Sequence, residues 1–387
     1  MRRVHRAAWV VVDADTVLSQ GYLVVEDGTI VSVGTGKGPK GIEVEEHGAA
    51  ALVPAFVNAH THLELSALSG RVKSDAGFAP WVRDLLAVRE SIPRNELVEA
   101  ALQAVRHAEA AGTLLFGDIS TLGITRPLFE EGRAQGVWFQ EYLGNPNPLA
   151  MSPGGEGAPG ASLAAHAPHT TAPKAIQAMK ALTARAGRPL SIHLDESDAE
   201  REFLTTGKGA WADFLTERGI DFSSWPLPAD DPVSYLLDLG VVDASTLVVH
   251  LLQTKAPQFR QLAEAGATAV CCVRSNHLLH GRTPDMEAMV GAGLTVALGT
   301  DSLASCDSLS ILDEMRAVAA EAPGLAPAEI FRMATEHGAK ALGLTGRFGR
   351  LAPGCSARCL EVTRASTPQP FSYGWFLDED VAVRVLP

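Results

Sequence analysis

From residue 50 onward the chain carries eight short apolar runs of strand character, separated by amphipathic stretches. The runs are Ala51–Ala59, Thr113–Ile119, Val137–Leu143, Ser162–His166, Pro189–Leu194, Thr246–Leu251, Thr268–Val273 and Leu294–Gly299. Helical spacing of apolar residues fills the intervals, as in Glu96–Ala110, Pro173–Ala186, Pro257–Ala265, Leu309–Ala320 and Pro327–Leu342. A strand that is apolar on both faces needs cover on both, and a helix returning to the next parallel strand supplies it. Strand followed by helix, repeated in this way, predicts an α/β protein whose residues 51–344 form a (β/α)8 TIM-type barrel.

The remaining residues read differently. From Trp9 to about Val44 short strands are broken by turn signals, such as Tyr22-Leu23-Val24-Val25 before Asp27-Gly28. Strand character returns after Leu344, punctuated by Gly346, Gly349 and Gly354. A small β-sandwich domain built from both chain ends, 1–50 and 345–387, is the expectation. Gly34-Thr35-Gly36-Lys37-Gly38 has neither phosphate-loop spacing nor a following helix pattern, so it reads as a turn. Two stretches interrupt the barrel rhythm: the Pro/Gly-rich segment Asn145–Gly160 and an insertion from Thr205. Both follow strand C-termini, which places them on a barrel's catalytic face as walls or a lid.

A formal charge of −13 without any Lys/Arg stripe argues against nucleic-acid and anionic-membrane partners and for a small-molecule ligand. The apolar stretch Ala7–Val12 ends at Asp13, too short for a signal-peptide core. The five cysteines, among them Cys271, Cys272, Cys355 and Cys359, show no paired framework and no zinc-finger spacing. Both features predict a cytoplasmic protein with buried, incidental thiols. Neither repeats nor heptads suggest an oligomerisation module.

Chemistry concentrates at strand ends. In Asn58-Ala59-His60-Thr61-His62, strand alternation puts His60 and His62 on one face, where both imidazoles reach one ion. His193 closes the fifth run, His250 the sixth, and Asp301 follows the eighth. One such histidine would be unremarkable, but four histidines and an aspartate at strand ends converge on one rim. Glu196, three residues past His193, is a carboxylate placed to face a substrate rather than the ion.

These segments resemble the amidohydrolase superfamily, in particular its mononuclear deaminases and chlorohydrolases. The resemblance rests on Val53–His62, His193-Leu194-Asp195-Glu196, Val249-His250, Ser275-Asn276, Leu298-Gly299-Thr300-Asp301-Ser302 and Ala334–Ala339, which together span most of the chain. It implies that His60, His62, His193 and Asp301 hold one divalent metal ion, zinc or iron(II). The carbamylated lysine of binuclear members has no counterpart near Ala164–Pro168, and Gly354–Arg358 departs from the usual Ala-Asp of the accessory sheet. Phe78-Ala79-Pro80-Trp81, His166-Ala167-Pro168-His169-Thr170 and Pro232–Leu236 are similar to deaminases of adenine-containing nucleosides, most of all the aminodeoxyfutalosine deaminases of menaquinone synthesis.

By that resemblance His166 contacts the sugar, Trp81 walls the base, and Glu141 and Arg83 belong to the pocket. Asp301 takes a proton from water, Glu196 protonates the ring nitrogen with a pKa expected to be raised, and His250 steadies the tetrahedral intermediate. The resemblance also implies homodimer formation. Two alternatives stay open. One is deamination or dehalogenation of another heterocycle, such as S-adenosylhomocysteine, adenosine, cytosine, guanine or a triazine. The other is a non-catalytic metal-binding barrel.

Overall fold

The computed structural model describes residues 2–73, 77–152, 160–365 and 370–386. Eight parallel strands form one sheet in sequential order: β1 (Phe56–Thr61), β2 (Thr113–Ser120), β3 (Gly136–Tyr142), β4 (Ala161–Ala165), β5 (Leu190–Leu194), β6 (Thr246–His250), β7 (Thr268–Cys271) and β8 (Thr295–Leu298). The sheet returns on itself where Thr61 bridges Asp301. There Asn58 pins the seam, its Nδ2 donating to Thr300 Oγ1 at 2.7 Å while its Oδ1 accepts from Thr300 N at 3.2 Å. Close approach to β1 explains two glycines: a Cβ on Gly117 would stand 2.4 Å from the Ala59 carbonyl oxygen, and one on Gly299 2.8 Å from that of His60.

The run Ala51–Ala59 is not one barrel strand. It divides at Ala55: Ala51–Pro54 pairs antiparallel with Cys359–Val362 and parallel with Trp9 and Val10, and only Phe56–Thr61 enters the barrel. Every residue of both pieces is buried, so apolar patterning carries no mark of the change of sheet. The chain-end sheet has seven strands, ordered Val381–Val385, Cys359–Arg364, Ala51–Pro54, Arg2–Asp13, Thr16–Glu26 and Thr29–Thr35, with Glu43–Glu46 pairing to Arg2–Asp13 off that path.

Helices cover the barrel's outside, including Arg94–Ala110, Pro173–Arg185, Ala256–Glu264 and Ile311–Glu321. The insertion from Thr205 is helical in part, with Ala210–Glu217 and Pro232–Asp238, the latter capped by Asp231 accepting from Val233 N and Ser234 N. Of the segment Asn145–Gly160, residues 153–159 lie outside the described residues. Among the described residues no helix is long and apolar enough to cross a membrane.

An aromatic cluster packs β1 against the helical segments Pro327–Arg332 and Tyr373–Leu377. The Phe56 ring meets Phe331 edge-on at 6.5 Å and Phe376 at 5.8 Å, and all three are fully buried. Phe56→Ala is expected to lower unfolding stability by about 3–5 kcal/mol, read from urea denaturation, because it leaves a cavity between packed layers.

Candidate active site

The C-terminal ends of β1, β5, β6 and β8 meet at one point. His60, His62 and His193 present ligand atoms within 4.8 Å of one another. His193 is oriented by its own backbone neighbours: Nδ1 donates to the His166 carbonyl at 2.6 Å, so the lone pair of the neutral ring sits on Nε2. That nitrogen lies 3.2 Å from His60 Nε2, and His62 Nε2 lies 3.6 Å from Asp301 Oδ1. Two nitrogens each about 2.0 Å from a shared tetrahedral ion stand about 3.3 Å apart, so this donor set fits a divalent cation. Burial pushes His60 and His250 below the ordinary imidazole range, which favours the neutral ring.

Three of these four strands, β5, β6 and β8, end in unusual backbone. Among the described residues, Asp195, His250, Leu251 and Asp301 adopt positive φ of 56°, 79°, 52° and 58°. Left-handed residues other than glycine are costly, and several at one site mark a constrained, functional arrangement. Surrounding hydrogen bonds hold them. The Asp301 carbonyl accepts from Thr61 Oγ1 at 2.8 Å and from His62 N at 3.3 Å. Its Oδ2 accepts from Ser275 at 2.6 Å and Ser305 at 3.1 Å, which turns Oδ1 toward His62. After β5 the buried Glu200 carboxylate receives both Asp195 N and Glu196 N at 2.9 Å, fixing the turn that aims Glu196 inward. Asn276 anchors His250 Nδ1 at 3.1 Å, so the Ser275-Asn276 pair supports two site residues at once.

Glu196 corrects one expectation. Burial works to raise its pKa, but His250, His280 and His193 outweigh that and hold the carboxyl well below its usual range. His280 Nε2 lies 3.2 Å and His250 Nε2 3.7 Å from the same Oε1. Glu196 therefore rests as a carboxylate, not as an acid poised with its proton. His280 comes from a helix after β7, Val273–His280, that the sequence reading had not placed.

Over this cluster opens a cavity of about 160 Å³. Trp81, Glu141 and His166 line it beside His62, His193, Glu196, His250 and Asp301. Arg83 does not: it points to the surface, half exposed, and pairs with Glu217 at 3.1 Å. On the helix Phe78–Ser91 it stands about 200° around from Trp81, whereas Leu85 and Arg89 follow Trp81 at four-residue steps. Arg89 is the arginine of the cavity, with Nη1 4.0 Å from Glu64 Oε1. Helical spacing from Trp81 was the available signal. The insertion adds Trp211 and Phe214 as aromatic walls, which no motif had indicated.

Several polar atoms around the cavity are buried without a hydrogen-bond partner, including Glu141 Oε1, Trp81 Nε1, Trp211 Nε1 and Ser302 Oγ. Unspent donors and acceptors at one cavity indicate a ligand that carries both kinds of group. Burial drives His166 down to about 3, against the pull of the neighbouring Glu141 carboxylate. Burial raises Glu141, but His166, His62 and His193 overcome it and keep the carboxyl low, hence an ionised acceptor. With ligand turnover as readout, Arg89→Ala is expected to raise KM about tenfold, the loss of one contact worth about 1.4 kcal/mol. Arg83→Ala should change kcat/KM by less than about twofold, as befits an exposed ion pair.

Comparison with known proteins gives concordant findings. Residues 146–363 match the amidohydrolase family. An aminodeoxyfutalosine deaminase of Deinococcus radiodurans is 29% identical over 320 residues, covering 77% of this chain and 75% of its own. An adenosine deaminase of Helicobacter pylori is 31% identical over 350 residues, covering 84% and 83%. The crystal structure of Helicobacter pylori aminofutalosine deaminase in complex with methylthio-coformycin superposes with a TM-score of 0.83 at 25% identity, covering 98% of this chain and 97% of that one.

Proposed function

The chain belongs to the amidohydrolase family, and from that premise we propose that it is a metal-dependent hydrolytic deaminase of an aminated purine nucleoside. The substrate we favour is 6-aminodeoxyfutalosine, converted to the deoxyfutalosine-type product and ammonia in menaquinone synthesis, on the strength of the Deinococcus radiodurans relative. The observation that carries the reading is the meeting of a carboxylate, Glu196, with a His/Asp cation cluster under a cavity whose aromatic walls and unpaired polar atoms suit a base and its sugar.

His60, His62, His193 and Asp301 would hold one divalent ion, zinc or iron(II). When bound, such an ion acts as a Lewis acid that makes water nucleophilic at neutral pH. The residues of the chain do the rest. Water oxygen bonds to the amine-bearing ring carbon while the resting Glu196 carboxylate takes one of its protons and passes it to the adjacent ring nitrogen. His250, whose Nδ1 accepts from Asn276 Nδ2, presents Nε2–H, donates to the attacking oxygen and steadies the tetrahedral carbon. Asp301 Oδ1 carries the remaining hydroxyl proton to the exocyclic nitrogen, the C–N bond breaks, and ammonia leaves as the ring carbonyl forms. Glu141 Oε1 and His166 receive the sugar hydroxyls, and Trp81 walls the base. The five cysteines, none of them paired, support a place in the cytoplasm.

Ammonia release by metal-loaded protein tests the reading, against aminodeoxyfutalosine, adenosine, S-adenosylhomocysteine, methylthioadenosine, cytosine and guanine. A preference for aminodeoxyfutalosine supports the favoured substrate. Preference for adenosine or one of its thioethers keeps the reaction and changes the substrate. Release from none of the six overturns the proposal.

A further inference from the structure

A second cluster of metal-type ligands lies far from the barrel rim, in the chain-end sheet. His5 stands opposite Glu45 in the parallel pairing of Arg2–Asp13 with Glu43–Glu46. His47 lies two residues beyond Glu45, where alternation returns its side chain to the same face. One ligand atom from each of His5, Glu45 and His47 lies within 4.8 Å of the others. His5 Nδ1 is 3.0 Å from His47 Nε2 and 3.7 Å from Glu45 Oε2. Both imidazoles are buried, with 7% and 1% of their side chains exposed.

Among the three side chains themselves acceptors outnumber hydrogens, and Arg3 Nη1 makes up the difference at Glu45 Oε2. His47 Nδ1 meets the Glu361 carboxylate, which only accepts, so Nδ1 carries the hydrogen and Nε2 of the neutral ring presents a lone pair. Glu45 Oε2 is likewise an acceptor. His5 Nδ1 has at most one hydrogen to offer to both. A carboxylate behind one histidine, with that ring's other nitrogen aimed at further donors, is the arrangement that orients imidazoles on metals. Arg3, which reaches Glu45 at 3.3 Å, also reaches Glu43 at 3.4 Å and keeps a partner when Glu45 turns to a cation.

We propose that His5, Glu45 and His47 form a second site, structural in role, for a divalent transition-metal ion of the zinc type. Two imidazoles and a carboxylate suit such an ion, with a fourth position open to water. Because Glu361 lies on the penultimate strand Cys359–Arg364 and braces His47, the ion would clamp the first strand to the C-terminal part of the sheet. This site makes no use of the barrel ligands, and its test is independent of turnover.

The test is zinc content after dialysis of full-length protein against micromolar free zinc, with thermal unfolding measured on the same samples. Wild type is expected to hold about two ions per chain, and the variant carrying His5→Gln and His47→Gln about one, with the zinc-dependent rise in Tm reduced and ammonia release unchanged. A folded variant that holds as much zinc as wild type overturns the proposal. The complementary variant, His60→Ala with His62→Ala, keeps the chain-end residues intact. It is expected to retain about one ion, and retention of none overturns the proposal even if the first variant does not fold.

Discussion

Glu196→Gln is expected to lower ammonia release by about 10²- to 10⁴-fold while leaving metal content and unfolding temperature unchanged. Glutamine keeps the size of the side chain and an oxygen for His280 Nε2, now 3.2 Å from Oε1, but it cannot take a proton from water and hand it on. In the proposed mechanism both halves of the proton transfer pass through this one carboxylate, so the expected loss is larger than that of a missing hydrogen bond. Steady-state kinetics and metal analysis on the same preparation check the result. A variant with wild-type turnover removes Glu196 from the mechanism, and one that has lost its metal shows a ligand rather than a proton carrier.

His193→Ala is expected to go further and take turnover to the assay background together with the ion of the barrel site. The side chain stands 3.2 Å from His60 Nε2 and is fixed by its 2.6 Å bond to the His166 carbonyl, so its removal takes away a preoriented donor from a set of four. Without the ion, the pKa of attacking water returns from ~7 toward 15.7, and hydroxide at neutral pH becomes vanishingly scarce. Excess zinc should not restore the variant, whereas it should restore wild-type protein stripped by a chelator. Metal stoichiometry distinguishes the cases: an inactive variant with a full complement of metal would make His193 a substrate contact instead.

Comparing the two variants separates residues that hold the ion from those that move protons. The distinction matters because all of them share one rim within a few ångströms. In the proposed mechanism Asp301 combines the two parts, and its Oδ2 bonds to Ser275 and Ser305 give its carboxylate a fixed face to the cluster.

Much of this was legible along the chain. Strand periodicity and the position of each histidine at a strand end are local properties, and a parallel barrel converts matching strand ends into one location. That is why His60, His62, His193, His250 and Asp301 emerge together from the sequence and stand together in space. Other features depend on rotation about an axis or on a partner distant in the chain. Arg83 and Arg89 sit on the same helix and differ only in which face they occupy, which the spacing from Trp81 encodes. His280, Trp211 and Phe214 reach the cavity from elements whose direction no local pattern states.

The sequence by itself determined the repeating strand and helix units, the barrel they imply and the residue types gathered at its rim, because burial and alternation act over a few neighbouring residues. Tertiary structure alone decided where Ala51–Ala59 passes from one sheet to the other, since both halves are equally buried. It also decided the direction in which the Glu196 pKa moves, because burial raises it while the imidazoles of His250 and His280, 54 and 84 positions away along the chain, outweigh that.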